Sequence, residues 1–205
     1  MDGTLINGRL LFAIADKVGA SDRVREILGR NIHGYEKSAE VAKLWKGLTP
    51  ADITDAIRSL QMTSGAKKVI DQLRKEGHKV GIISDSYTLA TSYIARELKM
   101  DFHFSNTLLQ EDGILTGELQ MPLGWEKIDC DCKISVCKRY HLERAAYMFH
   151  VDMKDTVAIG DTQSDMCMIR RAGVGIAFNP KDDIIGSHAR VVKKLDMCEI
   201  LQYIK

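Results

Sequence analysis

Acidic side chains, hydroxyls and a lysine gather beside short apolar runs in this 205-residue chain. Asp2 stands in "MDGTL", Ser84 and Asp85 in "IISDS", and Asp161, Ser164 and Asp165 in "AIGDTQSD". Lys133 precedes the last of these clusters, where the pattern predicts the start of a helix. Carboxylates that converge with a hydroxyl and a lysine suit Mg²⁺-dependent phosphoryl transfer. Mg²⁺ takes oxygen ligands at about 2.0–2.1 Å, from one or two carboxylates together with substrate phosphate. The hydroxyl and the lysine hold and neutralise phosphate oxygens.

Convergence requires a scaffold, and the hydrophobic pattern supplies one. "SGAKKVIDQLRKEGH" predicts an amphipathic helix ending at Gly77, followed by a strand in "KVGIISDS". "TLATSYIAREL" predicts a second helix, and Asp112-Gly113 between two β-prone runs signals a hairpin. A helix from about Lys133, a strand in "DTVAIGDTQSD" and a helix running into a strand in "MCMIRRAGVGIAF" complete the alternation. Strands alternating with helices imply a parallel sheet, whose ligand crevice lies beyond the C-terminal strand ends. The fold expected is therefore α/β, a Rossmann-like doubly wound parallel sheet.

Residues 7–63 read differently. Leu11, Ile14, Ala15 and Val18 recur at helical spacing, as do Val41, Leu44 and Trp45. Thr49 as cap, Pro50 at the first helical position and Asp52 three residues after the cap mark a further helix start. The expected organisation is a core from 1–6 and 64–205 with a small helical cap at 7–63, placed to cover the crevice. Trp45 and Phe12 belong to the interior of that cap.

Composition narrows the partners. Lys and Arg number 29 against 28 Asp and Glu, a net charge of +1, which favours neither a nucleic-acid groove nor a membrane surface. No apolar run approaches the roughly 20 residues of a membrane span. The five cysteines, an odd number without a leader peptide, fit reduced cytoplasmic thiols. "CDCKISVC" brings together Cys130, Cys132 and Cys137, but structural zinc usually takes four ligands in two spaced pairs. With no second pair, and His141 as the nearest recruit, no zinc site is expected.

The ordered set "DGTL … IISDS … K … GDTQSD" resembles the haloacid dehalogenase superfamily, and within it the phosphoserine phosphatase branch. The similarity covers nearly the whole chain, including "LLQEDGILTGEL" and "DTVAIGDTQSDMCMIRRAG". The resemblance implies Mg²⁺-dependent phosphomonoester hydrolysis through an aspartyl-phosphate, on a small phosphorylated metabolite. Asp2 matches the acid that protonates the leaving alkoxide, activates water and joins the metal site. Gly3 and Thr4 would offer backbone N–H groups to phosphate, and Ser84 its hydroxyl. Lys133 matches the charge-neutralising lysine. Asp161 matches the metal motif, and Asp165 an acid that supports the metal or orients Lys133.

The attacking aspartate of that motif falls one position before Met1, and the central first strand is expected to be missing with it. Such a buried strand contributes on the order of 10 kcal/mol, against a domain stability of about 5–15 kcal/mol. The chain as given is therefore expected to be nearly inactive. Substrate determinants also depart from the resemblance. Arg9 stands near the family's ammonium-binding Glu, and "YEKSAEVAKLWKGL", where the family's carboxylate-binding arginine is expected, holds no arginine. Lys37, Lys43 or Lys46 would have to substitute, as point charges rather than bidentate forks. Asp85 replaces the usual Gly, as in a related phosphoserine:homoserine phosphotransferase, and Ser164 replaces a common Asn. Two alternatives stay open: transfer to an alcohol such as homoserine, and a catalytically inactive phosphate-binding module. Simpler roles compete at single residues, since Ser84 could cap the following helix and Lys133 could be an exposed lysine, with Lys127 and Lys138 close by.

Overall fold

The computed structural model describes residues 1–181 and 183–204. Strand β1 (Ile6–Asn7) leads into helices α1 (Leu10–Lys17), α2 (Ser21–Gly29), α3 (Gly34–Lys43) and α4 (Pro50–Arg58), and β2 (Gln61–Met62) closes the excursion. β1 and β2 pair antiparallel, Ile6 opposite Met62 and Asn7 opposite Gln61, so the helical segment leaves and rejoins the body at one place. Its start signals act as their chemistry dictates. The Thr49 side chain accepts from the Asp52 amide at 3.3 Å, while Asp52 accepts from the Thr49 amide at 2.7 Å. Leu10, Ile14 and Ala15 turn inward from α1, and Trp45 is wholly buried.

Then come α5 (Ala66–Lys75), β3 (Gly81–Tyr87), α6 (Thr88–Glu97), β4 (Phe102–Glu111) and β5 (Ile114–Gln120). The Asp112-Gly113 turn has φ of 50° and 79°, the left-handed pair a tight hairpin requires. The third stretch runs through α7 (Lys138–Met148), β6 (Val157–Gly160), α8 (Met166–Arg171), β7 (Val174–Phe178), α9 (Asp183–Gly186) and β8 (Arg190–Val192). β3 pairs parallel with β4, and β6, β7 and β8 form a second parallel set. Among the described residues neither β3 nor β6 has a second strand partner, so the parallel strands form two sheets rather than one. Helices cover them: α6 packs on β3 and β4, and α8 on β6 and β7.

Alternation of parallel strands with helices gives the expected α/β, Rossmann-like class. One expected boundary is corrected. The helix anticipated from about Lys133 begins at Lys138, with Cys137 as its N-cap. Lys133 has φ 44°, a left-handed conformation that cannot lie inside an α-helix. Among the described residues, no helix is long and apolar enough to cross a membrane.

Candidate active site

The C-terminal ends of β3 and β6 carry the chemistry. Regular pairing of β3 with β4 breaks between Ile83 and Tyr87, which releases Ser84 and Asp85 from the ladder. Buried Asn106 holds this bulge, its amide donating to the Asp85 carbonyl at 2.7 Å and to the Ser135 hydroxyl at 2.9 Å. Ser84 is buried, and its hydroxyl accepts from the Ser86 amide at 3.2 Å, a contact within β3 rather than a cap on α6, whose N-cap is Tyr87.

At the end of β6 the chain turns sharply. A Cβ on Gly160 would lie 2.3 Å from the Cβ of Asp165, so only glycine lets the Asp165 side chain fold back. Asp165 then accepts from the Asp161 and Thr162 amides at 3.0 and 3.1 Å. Its other oxygen meets Lys138 Nζ at 2.5 Å. Lys138 also reaches Ser164 Oγ at 3.2 Å and lies 3.8 Å from Asp85. Burial disfavours the Lys138 charge, but Asp165, Asp85 and Asp161 outweigh it and raise its pKa. Asp165 responds in the opposite sense: burial works against its charge, and Lys138 more than offsets this, leaving its pKa lowered.

Asp161 sits differently. Among the described residues its carboxylate receives a long 3.5 Å contact from Thr4 Oγ1, and burial, with Asp165 adding, raises its pKa to about 6. Asp2 accepts from the Leu10 amide, and its pKa is raised chiefly by burial, with Asp85 contributing. Among the described residues neither Asp2 nor Asp161 is ion-paired, whereas Asp165 is. Gly3 joins them: at φ 69° its hypothetical Cβ would lie 2.0 Å from Asp161 Oδ2. Unpaired carboxylate oxygens of this kind suit a hard divalent cation such as Mg²⁺. Asp165 is engaged instead in orienting the lysine.

Several expectations need correcting. Lys133 is not in the cluster: its Nζ stands 3.7 Å above the Trp125 ring, and Lys138 occupies the expected lysine position. The left-handed turn at Lys133 directs its side chain to Trp125, while the first turn of α7 points Lys138 at the β6 loop. The amides of Gly3 and Thr4 are already used, donating to the Gly8 and Met1 carbonyls at 3.1 and 3.2 Å. The Leu5 and Ile6 amides also donate to the Met1 carbonyl, at 2.8 and 3.3 Å, so the stretch turns back on its own start. Arg9 is exposed, stacked 5.5 Å from the centroid of Phe12. Lys37 donates to the Leu28 carbonyl at 2.8 Å, and Lys43 pairs with Glu40. Cys167 joins Cys130, Cys132 and Cys137 with all four sulfurs within 4.8 Å of one another, a fourth thiol beyond the three that the sequence groups together. Asn106 and Ser135 escaped sequence reading because one lies late in "DFHFSN" and the other inside the cysteine loop, with no motif signal.

Parallel strand ends bearing carboxylates, hydroxyls and a buried lysine define an α/β protein of the phosphoryl-transfer kind. A family description of haloacid dehalogenase-like hydrolases matches residues 1–170, and the chain belongs to that family. Within it the chain is phosphoserine phosphatase-like. It is 31% identical over 208 residues to a phosphoserine phosphatase of Methanocaldococcus jannaschii, covering 100% of this chain and 94% of that one. A phosphoserine phosphatase of Lactococcus lactis is 28% identical over 208 residues, covering 100% and 92%. A solved phosphoserine phosphatase with bound substrate superposes with TM-score 0.86 at 29% identity, covering 100% of this chain and 95% of that one.

Proposed function

We propose that this fold carries an Mg²⁺-dependent phosphomonoester hydrolase site of the phosphoserine phosphatase kind. The observation behind this reading is the division of labour among the acids: among the described residues Asp2 and Asp161 have no ion-pair partner, while Asp165 is committed to Lys138. Mg²⁺ held by Asp2 and Asp161 would supply charge neutralisation at the phosphate oxygens. Lys138, fixed by Asp165 and Ser164, supplies a second positive charge without having to reorganise. Asp2 is proposed to donate a proton to the leaving alkoxide and later to remove one from water.

The covalent step is proposed for a chain in which an aspartate stands before Met1, as the resemblance to the family motif implies. Helices α1–α4 are proposed as the cap. The Ser38 hydroxyl donates to Ser135 at 3.1 Å, and Ser135 is bound in turn to Asn106 beneath Asp85, which links the cap to the site. A small phosphorylated metabolite is the proposed substrate. Transfer to an alcohol acceptor is a second reading favoured by Asp85, whose side chain remains 45% exposed beside Lys138.

The test compares residues 1–205 with the same chain preceded by an apolar strand ending in Asp. Phosphate release from a panel of phosphomonoesters is measured with and without Mg²⁺ and with homoserine as acceptor. Mg²⁺-dependent release is expected only in the extended chain, falling by about 10²-fold or more in Asp2→Asn. A phosphorylated acceptor would favour transfer. Tight ester binding without turnover in the extended chain would refute both enzymatic readings.

A further inference from the structure

Four of the five cysteines meet in one place, none of them among the residues assigned to phosphoryl transfer. Cys130 and Cys132 come from the loop before α7, Cys137 caps that helix, and Cys167 lies in the first turn of α8. All are free thiols, and every pair of sulfurs lies within 4.8 Å. A tetrahedral zinc with Zn–S bonds of about 2.3 Å has sulfur–sulfur edges of about 3.8 Å. The four sulfurs therefore stand within roughly an ångström of tetrahedral coordination. We propose that Cys130, Cys132, Cys137 and Cys167 form a structural tetrathiolate zinc site.

The surroundings fit this assignment. Residues 121–137 are irregular apart from a 3-10 turn at Trp125–Lys127 and a bridge between Leu123 and Val136. Hydrogen bonds within the loop and to Arg139 hold it against α7, and none of these reaches α8. A metal clip supplies a tie to α8. The left-handed turn at Lys133 (φ 44°) lets the Ile134 amide interact with the Cys132 sulfur, and the Arg139 amide does the same at Cys167. Cys137 sits at the N-terminus of an eleven-residue helix, whose amides favour a thiolate.

Charge and coordination chemistry agree. A zinc ion with four thiolates carries net negative charge, and Arg139, Arg170 and Arg171 line the same hollow, tempered by Asp129 and Asp131. Thiolates are soft ligands, which select zinc over Mg²⁺, and four protein ligands leave no open position for substrate. The role is therefore structural. Cys137 immediately precedes Lys138, and Cys167 follows Asp165 by two residues, so one ion ties together the segments that carry the buried ion pair. This assignment does not depend on the phosphatase reading.

The full chain, reduced and stripped with chelator, is titrated with Zn²⁺ and separately with Co²⁺. One zinc per chain is expected, with four thiols protected from a disulfide reagent and Cys198 alone reactive. Co²⁺ should show thiolate charge-transfer and tetrahedral ligand-field bands. Cys167→Ser should weaken zinc binding by at least tenfold, and Cys198→Ser should leave it unchanged. The wild-type spectra keep the test decisive even if Cys167→Ser fails to fold. Loss of zinc on simple dialysis, an octahedral Co²⁺ spectrum, or a native mass lowered by disulfide formation would each overturn the site.

Discussion

Lys138 Nζ stands 2.5 Å from Asp165 Oδ1, with their side chains only 4% and 8% exposed. Neither charge has water to fall back on, so each exists in its charged form because of the other. The arrangement commits Asp165 to Lys138, whereas Asp161 has no ion-pair partner among the described residues. A glycine at position 160 and the first turn of α7 are what allow the pair to close.

Removing one partner strands the other. Lys138→Met should lower stability by about 3–5 kcal/mol, with Tm falling about 2–4 °C for each kcal/mol in a domain of this size. Lys133→Met removes only a cation–ring contact and should cost about 1 kcal/mol or less. Denaturant titration of the two variants discriminates between them. Equal losses would mean that the buried pair does not carry the difference.

Gly3 is held at φ 69° against the carboxylate of Asp161. Gly3→Ala should cost about 1–2 kcal/mol in backbone strain and also push Asp161 aside, weakening Mg²⁺ binding about tenfold or more, or roughly 1.4 kcal/mol. Gly19 has a similar φ of 66° with nothing within 4 Å of its hypothetical Cβ. Gly19→Ala should therefore show the strain without the change in Mg²⁺ affinity. Calorimetric titration of both variants checks this, and an unaltered affinity in Gly3→Ala would separate Asp161 from the metal.

Local chemistry was readable and long-range convergence was not. Thr49, Pro50 and Asp52 announce a helix start because the cap lies within one turn of chain, and Asp112-Gly113 announces its hairpin for the same reason. The strand ends at Ser84 and Asp161 follow from apolar runs meeting polar residues. The choice between Lys133 and Lys138 hinged on a left-handed residue that no pattern marks, since lysine is a poor candidate for positive φ. Cys167 was hidden for a different reason. Only the packing of α7 against α8 brings it to the "CDCKISVC" loop. The separation into two sheets depends on the pairing of β3 and β6, which hydropathy does not encode.

Trp45 and Tyr87 connect the helical segment to β3. The indole N–H donates to the Tyr87 hydroxyl at 2.7 Å, with Trp45 0% and Tyr87 5% exposed. Burial raises the Tyr87 pKa well above its ordinary value, so the hydroxyl stays neutral. Trp45→Phe leaves that hydroxyl without its donor and should cost about 1–3 kcal/mol beyond any cavity term. Adding Tyr87→Phe should cost less than it does in the wild type, with a coupling of about 0.5–3 kcal/mol in a double-mutant cycle. Strict additivity would mean that the bond contributes nothing to docking the segment.

His141 makes stability fall in mild acid. Burial, with Arg144 and Lys127 adding, lowers its pKa to about 4, against about 6.5 in an unfolded chain. Between those values the unfolded chain binds a proton that the folded chain refuses, so stability is lost as pH falls from about 6.5 toward 4. Asp161 acts oppositely in an overlapping window: its folded pKa of about 6 lies above the unfolded value near 3.9, so its contribution grows as pH falls. The two partly cancel in the wild type, and the difference between variants isolates each. His141 lies against Phe104, with ring centroids 4.9 Å apart, so Phe suits the space. His141→Phe, measured by denaturant unfolding with chelator present to exclude Mg²⁺, should become progressively more stable than wild type from pH 6.5 to 4. Parallel pH curves for the two proteins would show that His141 titrates alike in both states.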